Sequence, residues 1–97
     1  MTTYITLVNF TDQGIRSIRE SPSRVDAVKS ILKGMGGDFK AFYLTMGSHD
    51  AVWVYDAPDD ATAARFALTI GARGNVRTQT LTAFPEAAYR KVIASLG

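Results

Sequence analysis

The order in which strand-like and helix-like segments alternate constrains this 97-residue chain more than any other feature of its sequence. Four segments rich in β-branched and aromatic residues are predicted as strands, at residues 4–10, 39–46, 51–56 and 75–84. Apolar residues at helical spacing predict three helices, within residues 21–35, 57–70 and 85–96. The predicted element order is therefore β-α-β-β-α-β followed by a C-terminal helix.

Few sheets are compatible with this order. Each β-α-β unit makes a right-handed crossover, so both crossover helices lie on one face of a four-stranded antiparallel sheet. We predict the strand order 4-1-3-2, with the first and third strands in the centre. This is an α+β, ferredoxin-like fold, and 97 residues suffice for one such domain spanning residues 1–97.

Short polar and glycine-containing segments mark the ends of these elements. Residues 11–14 and 47–50 are predicted as turns, and the second, a tight one, makes the second and third strands a hairpin. Ser21 offers a cap for the first helix, with Pro22 in its first turn. The glycines within residues 34–37 supply the left-handed backbone that commonly ends a helix.

The composition disfavours several classes of function. The net charge is only +2 and the charges are interspersed, so we expect no nucleic-acid partner. No cysteine and a single histidine leave no zinc site, and we expect no metal and no cofactor. No apolar run approaches the roughly 20 residues of a membrane span, and the N-terminus lacks the basic region of a secretory signal. We expect a cytoplasmic protein without a membrane partner.

Both faces of the predicted sheet are apolar. In the first strand, the register that contains Tyr4 and Val8 is as apolar as the register that contains Ile5 and Leu7. A sheet with one face in water would instead alternate apolar and polar residues. The two crossover helices cover one face only, so another layer must cover the second face.

The second strand is apolar in both registers as well. Strict alternation would place Phe39, Ala41 and Tyr43 together on one face. The last helix could cover part of the second sheet face, and another subunit could cover the rest. We therefore predict a homodimer or higher homo-oligomer formed sheet to sheet.

Polar residues far apart in the sequence are predicted to meet at one end of the sheet. The first and second strands end at the edge where the third and fourth strands begin. The residues brought to this end are Asn9, Thr11, Met46, His49, Asp50, Asn75 and Arg77. Such a set suggests the polar mouth of a pocket, and Arg77 is our choice for a direct contact with an anionic ligand.

Five arginines fall at or near the same end, namely Arg16, Arg19, Arg24, Arg73 and Arg77. They suit an anionic ligand. The simpler interpretation is that they pair with nearby acidic residues, the candidates being Asp12, Glu20, Asp26 and Asp50, or are solvated, since such surface pairs contribute little.

His49 and Asp50 form the one histidine–carboxylate neighbourhood of the chain and are its weak catalytic candidates. Histidine can act as a general base near neutral pH when a carboxylate orients it. Adjacent strand residues point to opposite faces, however. The alternative is that His49 suits a turn while Asp50 accepts backbone amides. Tyr43, Trp53 and Tyr55 could line a small-molecule pocket, although aromatic residues on strands more often belong to the core.

Several segments resemble the GYD-domain family of small bacterial and archaeal proteins. The matching segments are residues 11–16, residues 20–22, Gly47 with Asp50, residues 57–60 and residues 74–84. This resemblance covers nearly the whole chain and implies a dimeric α/β-barrel fold. The tyrosine that gives the family its name is His49 here, so no catalytic role of that tyrosine carries over.

The sequence leaves three functions open. The favoured one is a dimeric binding module for a small anionic or aromatic ligand, with the candidate contacts Asn9, Thr11, Tyr43, His49, Trp53, Asn75 and Arg77. The alternative is a cofactor-independent enzyme, monooxygenase-like or isomerase-like, that uses His49. RNA binding is disfavoured, because residues 51–55 lack the basic-glycine-aromatic signature of the RNA-recognition motif.

Overall fold

The structure is a computed structural model that describes residues 1–97. Its strands are β1 (Thr2–Phe10), β2 (Asp38–Leu44), β3 (Ala51–Ala57) and β4 (Val76–Ala83). Its helices are α1 (Asp12–Arg16), α2 (Ser21–Gly34), α3 (Asp60–Gly71) and α4 (Glu86–Ala94), and a 3₁₀ turn at Ile18–Glu20 precedes α2.

The four strands form one antiparallel sheet in the order β2-β3-β1-β4, which is the predicted order read from the other edge. Helices α2 and α3 are the crossovers, and both pack on the same face of the sheet. The predicted α+β, ferredoxin-like fold is confirmed. We call the face under α2 and α3 the helix-covered face and the opposite one the open face.

Aromatic residues at the centre of the sheet hold the core together. The rings of Tyr4 and Tyr55, which face each other across β1 and β3, stack with centroids 5.7 Å apart. Phe66 of α3 meets Tyr55 edge-on at 5.1 Å, a favoured geometry for aromatic pairs. Leu32 of α2 is fully buried in the same cluster. The buried side chains of β1 and β3 thus pack these two central strands against both helices.

A bulge in β2 overturns the strict alternation predicted for that strand. The register shifts between Phe39, which faces Tyr55, and Ala41, which faces Val54. Because the extra residue reverses the side-chain alternation, Phe39 joins Phe42 against the core while Ala41 stays on the open face. The prediction that Phe39 shares a face with Ala41 was therefore wrong.

The segment between β1 and α2 also differs from its prediction. Residues 11–14 were expected to form a turn, but Thr11 caps the short helix α1, accepting the Gly14 N–H at 3.1 Å. The prediction of a serine cap was wrong too. Ser21 is the first residue of α2, and Glu20 precedes the helix without a side-chain capping bond. Pro22 lies in the first turn, as predicted.

The connection between β2 and β3 is longer than the predicted tight turn. Strand β2 ends at Leu44, so residues 45–50 form a six-residue loop. Two hydrogen bonds close this loop: the Thr45 N–H donates to the Asp50 oxygen at 2.9 Å, and the Thr45 hydroxyl donates to the His49 oxygen at 2.7 Å. Gly47 has φ of 139° within it, a conformation that residues with a β-carbon rarely adopt.

The open face and α4 are left without partners in the chain. Ile5 pairs with Val54 and Leu7 with Val52 across the middle of the open face, and all four side chains are partly exposed. No residue of α4 is buried, and this helix makes no substantial contact with another element. The expectation that the last helix covers part of the sheet is not met within one chain.

None of the helices combines the length and the apolar character needed to cross a membrane.

Candidate functional site

Three of the predicted site residues meet on the open face at one end of the sheet. Asn9 lies opposite Arg77 in the β1–β4 register. The His49 Nδ1 atom lies 2.9 Å from the Asn9 Oδ1 atom, and the Asn9 Nδ2 group donates to the Ser48 oxygen at 2.9 Å. Asn9 thus joins β4 and the β2–β3 loop into one polar cluster. Arg77 is exposed in this cluster.

Asp50 lies next to this cluster but interacts with the backbone. Its carboxylate accepts the Phe10 N–H at 2.9 Å, and its own N–H donates to the Val8 oxygen at 2.8 Å. No hydrogen bond joins Asp50 to His49, whose ring is held by Asn9 instead. Asp50 therefore extends the β1–β3 pairing, and the two residues do not form a dyad.

Tyr43 and Met46, two further predicted residues, are largely exposed near this end. Tyr43 faces Val52 on the open face and is 60% exposed, on the edge strand farthest from Arg77. Met46 is 99% exposed in the loop after β2. Neither contacts the Asn9 cluster through a side-chain hydrogen bond.

Trp53 and Asn75 belong to a different place, a cavity of about 70 Å³ on the helix-covered face. The cavity lies between the first half of α2, the end of α3 and the sheet, and nine of its 13 lining residues are hydrophobic. Its polar lining residues are Ser21, Arg24, Arg73 and Asn75. The structure therefore divides the predicted site between two faces of the sheet.

Trp53 forms part of the cavity wall and carries an unusual buried donor. The side chain is 4% exposed, and its Nε1–H is the one buried side-chain polar group without a hydrogen-bond partner. A buried donor without an acceptor costs about 1–3 kcal/mol. The sequence predicted Trp53 as either core or pocket lining, and in the structure it is both.

The five arginines near this end form no salt bridge with any carboxylate. The salt bridges of the chain are Lys40 with Asp38, Lys40 with Asp56, and Arg90 with Glu86. Arg24 instead donates to the Ser17 oxygen at 2.9 Å and to the Gly14 oxygen at 3.1 Å, which fixes it against α1. Of the two simpler alternatives, acidic pairing does not occur and solvation remains, so positive charge at this end is not neutralised by direct contact.

Sequence reasoning did not select Arg24 and Arg73 as site residues, although it noted the cluster of arginines. The signal that could have found them is position. Arg24 lies one turn into α2, and Arg73 follows the end of α3, so right-handed crossovers bring both to the sheet end that carries Asn75. No group of three or more potential metal-ligating side chains is present.

The GYD-domain family model matches residues 4–93 of the chain. The chain belongs to the GYD-domain family. It is also similar to the glutamine synthetase and cystathionine beta-lyase binding protein of Thermus thermophilus, with 39% identity over 88 residues that cover 90% of this chain and 93% of the relative. No solved structure matches the chain significantly.

Two of the segments that resemble the GYD-domain family bind each other. The Thr11 N–H donates to the Asn75 oxygen at 3.1 Å, and the Thr11 hydroxyl donates to the Gly74 oxygen at 2.5 Å. The Gln13 side chain donates to the Asn75 Oδ1 atom at 3.1 Å. We call this contact, formed by Thr11, Gln13, Gly14, Gly74 and Asn75, the α1–β4 latch. The N–H and the hydroxyl of Thr11 are thus both engaged in hydrogen bonds within the chain.

Proposed function

We propose that residues 1–97 of this GYD-domain chain form a homodimeric binding module that holds a small ligand and docks on other proteins. The observation that carries the proposal is the unpartnered surface formed by the open face and α4. We expect the module to act in the cytoplasm, where a cysteine-free chain meets no oxidative requirement.

The size of the exposed surface supports a second copy as the partner. The chain exposes 6350 Å², whereas a compact monomer of 10.5 kDa exposes about 5,400 Å². The excess of about 950 Å² is of the same order as the roughly 800 Å² that each partner buries in a standard interface. The radius of gyration is 14.5 Å, against about 12.5 Å for a compact chain of this length.

The chemistry of that surface supports the same partner. Leu81 is 42% exposed beside Ile5 on the open face. Exposed apolar residues recur at helical spacing along α4 and just after its end, namely Tyr89, Val92, Ile93 and Leu96. Two copies that face each other sheet to sheet would cover the apolar strands, and each α4 would find an apolar surface on the other copy.

Light scattering coupled to size exclusion tests the dimer at about 50 µM protein, a concentration that detects micromolar association. We expect twice the chain mass of 10.5 kDa. Leu7→Lys places a charge in the middle of the open face and should yield a folded monomer. Leu68→Lys is the matched control, since Leu68 is 74% exposed on α3. A wild-type monomer, or a dimer that survives Leu7→Lys, would refute this interface.

The name of the Thermus thermophilus relative supports protein partners. That relative is named for binding glutamine synthetase and cystathionine beta-lyase, and we propose that this chain binds metabolic enzymes of the same kind. Surface plasmon resonance with the two purified enzymes from the same organism as this chain tests it. Saturable binding to either enzyme supports the proposal, and binding to neither enzyme refutes it.

An enzyme that uses His49 is the second candidate. One observation favours it: Asn9 holds the Nδ1 side of the ring, while the Nε2 atom has no hydrogen-bond partner in the chain. The binding module has more support, because Asp50 does not orient the ring and accepts a backbone amide instead. Any turnover that this chain shows should be lost in His49→Gln, and turnover that survives would remove His49 from the chemistry.

A further inference from the structure

The cavity on the helix-covered face has unsatisfied donors and no negative charge. None of its lining residues is Asp or Glu, whereas two are arginines. The Arg73 side chain is exposed and forms neither a salt bridge nor a hydrogen bond within the chain. Arg73 lines the cavity and its guanidinium has no partner in the chain, so this group is free to bind a carboxylate or a similar anion.

Two further donors lie in the same wall. Asn75 lines the cavity; its Oδ1 atom accepts from Gln13, and its Nδ2–H donors have no partner in the chain. The Trp53 Nε1–H is buried without an acceptor. Every unsatisfied group named here is a donor, and the complementary ligand is therefore an acceptor.

The volume of the cavity limits the apolar part of the ligand. An apolar cavity of roughly 150 Å³ accommodates benzene, and this cavity has about 70 Å³. An aromatic ring is too large for this cavity alone, although the cavity shares Phe10, Ser21, Val25 and Phe42 with a wider neighbouring groove of about 470 Å³. A short aliphatic chain fits beside Val8, Val28 and Ile70.

We propose that the cavity binds a short-chain aliphatic carboxylate of about two to four carbon atoms. The carboxylate contacts Arg73, the Arg24 charge stabilises it from α2, and the aliphatic chain packs against the Trp53 wall. This inference rests on the proposed small-ligand function and narrows it, since it selects an anionic aliphatic ligand over an aromatic one.

The single tryptophan gives the experiment a unique reporter. The Trp53 indole N–H produces one side-chain signal in a ¹⁵N–¹H correlation spectrum of the full chain. A ligand of so few atoms binds at about millimolar strength, which a titration with sodium propionate measures at constant ionic strength. We expect a saturable shift of the indole signal.

Propionamide is the matched neutral probe, because it has the size of propionate without the charge. We expect propionamide to bind at least about tenfold more weakly, the scale of a charge-assisted hydrogen bond. Sodium benzoate tests the size limit and should bind more weakly than propionate. Equal binding of amide and carboxylate, tighter binding of benzoate, or no saturable shift with propionate would overturn the proposal.

Arginine variants locate the site. Arg73→Gln should weaken propionate binding about tenfold or more, and Arg16→Gln, which changes an arginine outside the cavity lining, should leave it unchanged. Equal losses in both variants would show diffuse charge attraction and would refute the site. If propionate binding fails while the dimer and the enzyme contacts persist, this inference alone is lost. If the protein is a monomer and still binds propionate, the proposed dimer is refuted and this inference is kept.

Discussion

The close approach of Gly14 to the start of β4 allows a sharp test of the α1–β4 latch. A β-carbon on residue 14 would lie 2.0 Å from the backbone oxygen of Asn75 and 2.9 Å from its carbonyl carbon. Both atoms belong to the backbone, so they cannot rotate away as a flexible side chain can. In the variant Gly14→Ala, α1 and the start of β4 must therefore move apart.

The cost of this movement follows from the contacts that it breaks. Separation removes the Thr11 N–H bond to Asn75 and the Thr11 hydroxyl bond to Gly74, each worth about 0.5–1.5 kcal/mol. Overpacking strain adds about 1–3 kcal/mol. We expect Gly14→Ala to lower the free energy of unfolding by about 2–6 kcal/mol. The melting temperature should then fall by roughly 10 °C or more.

Urea and thermal denaturation followed by circular dichroism measure this change at one fixed protein concentration, because the stability of an oligomer depends on concentration. Gly34→Ala is the matched control. Gly34 is the last residue of α2, and an added β-carbon there meets no atom within 4 Å, so stability should stay unchanged or rise. If Gly14→Ala unfolds at the wild-type urea concentration, the latch does not contribute to stability and the reasoning is refuted.

Three further substitutions test other local features. Burial and, to a smaller extent, the hydrogen bond to Asp60 raise the pKa of Tyr4 from 10.0 to about 12. The contribution of the protonated Tyr4 to the free energy of unfolding is therefore complete below pH 10 and should decline towards pH 12. Urea midpoints of Tyr4→Phe should lack this decline. His49→Tyr loses only the hydrogen bond to Asn9 in a partly exposed loop, so we expect a small loss of stability, and a melting temperature more than roughly 8 °C below the wild-type value would contradict this. Hydrogen bonds from the Thr62 side chain and N–H lower the pKa of Asp59 from its ordinary value, so the stability gap between wild type and Asp59→Ala should shrink as the pH falls through the folded-state pKa.

The sequence predicts the sheet well because its information is local. Periodic apolar residues define the strands and crossover helices, and the handedness of crossovers then leaves one strand order. The predicted faces of the β2 side chains are wrong because a bulge near Lys40 reverses the side-chain alternation. No turn-forming residue in the sequence marks the position of this bulge. Helix α1 is missed because a five-residue helix that contains Gly14 has little intrinsic stability and depends on contacts to Asn75 that are remote in sequence.

The candidate site shows the same division between local and remote information. Strand connectivity suffices to bring the ends of β1, β3 and β4 together, and Asn9, His49 and Arg77 do meet there. Which side of the sheet each residue serves depends on register, since a shift of one residue moves a side chain to the opposite face. For this reason the sequence analysis placed Trp53 and Arg77 in one predicted site, whereas in the structure they lie on opposite faces of the sheet.

The α1–β4 latch also connects the family-like segments to the proposed ligand. Gln13 binds the Asn75 Oδ1 atom and the Arg73 oxygen, both at 3.1 Å, and these two residues line the cavity. The latch therefore fixes the wall that carries the free guanidinium and leaves the Asn75 amide as a donor. Because residue 14 has no β-carbon, α1 can approach Asn75 this closely. Gly14 therefore helps to position the cavity wall without contacting a ligand. The resemblance of these segments to the GYD-domain family thus has a physical basis in fold and cavity shape, independent of any chemistry at His49.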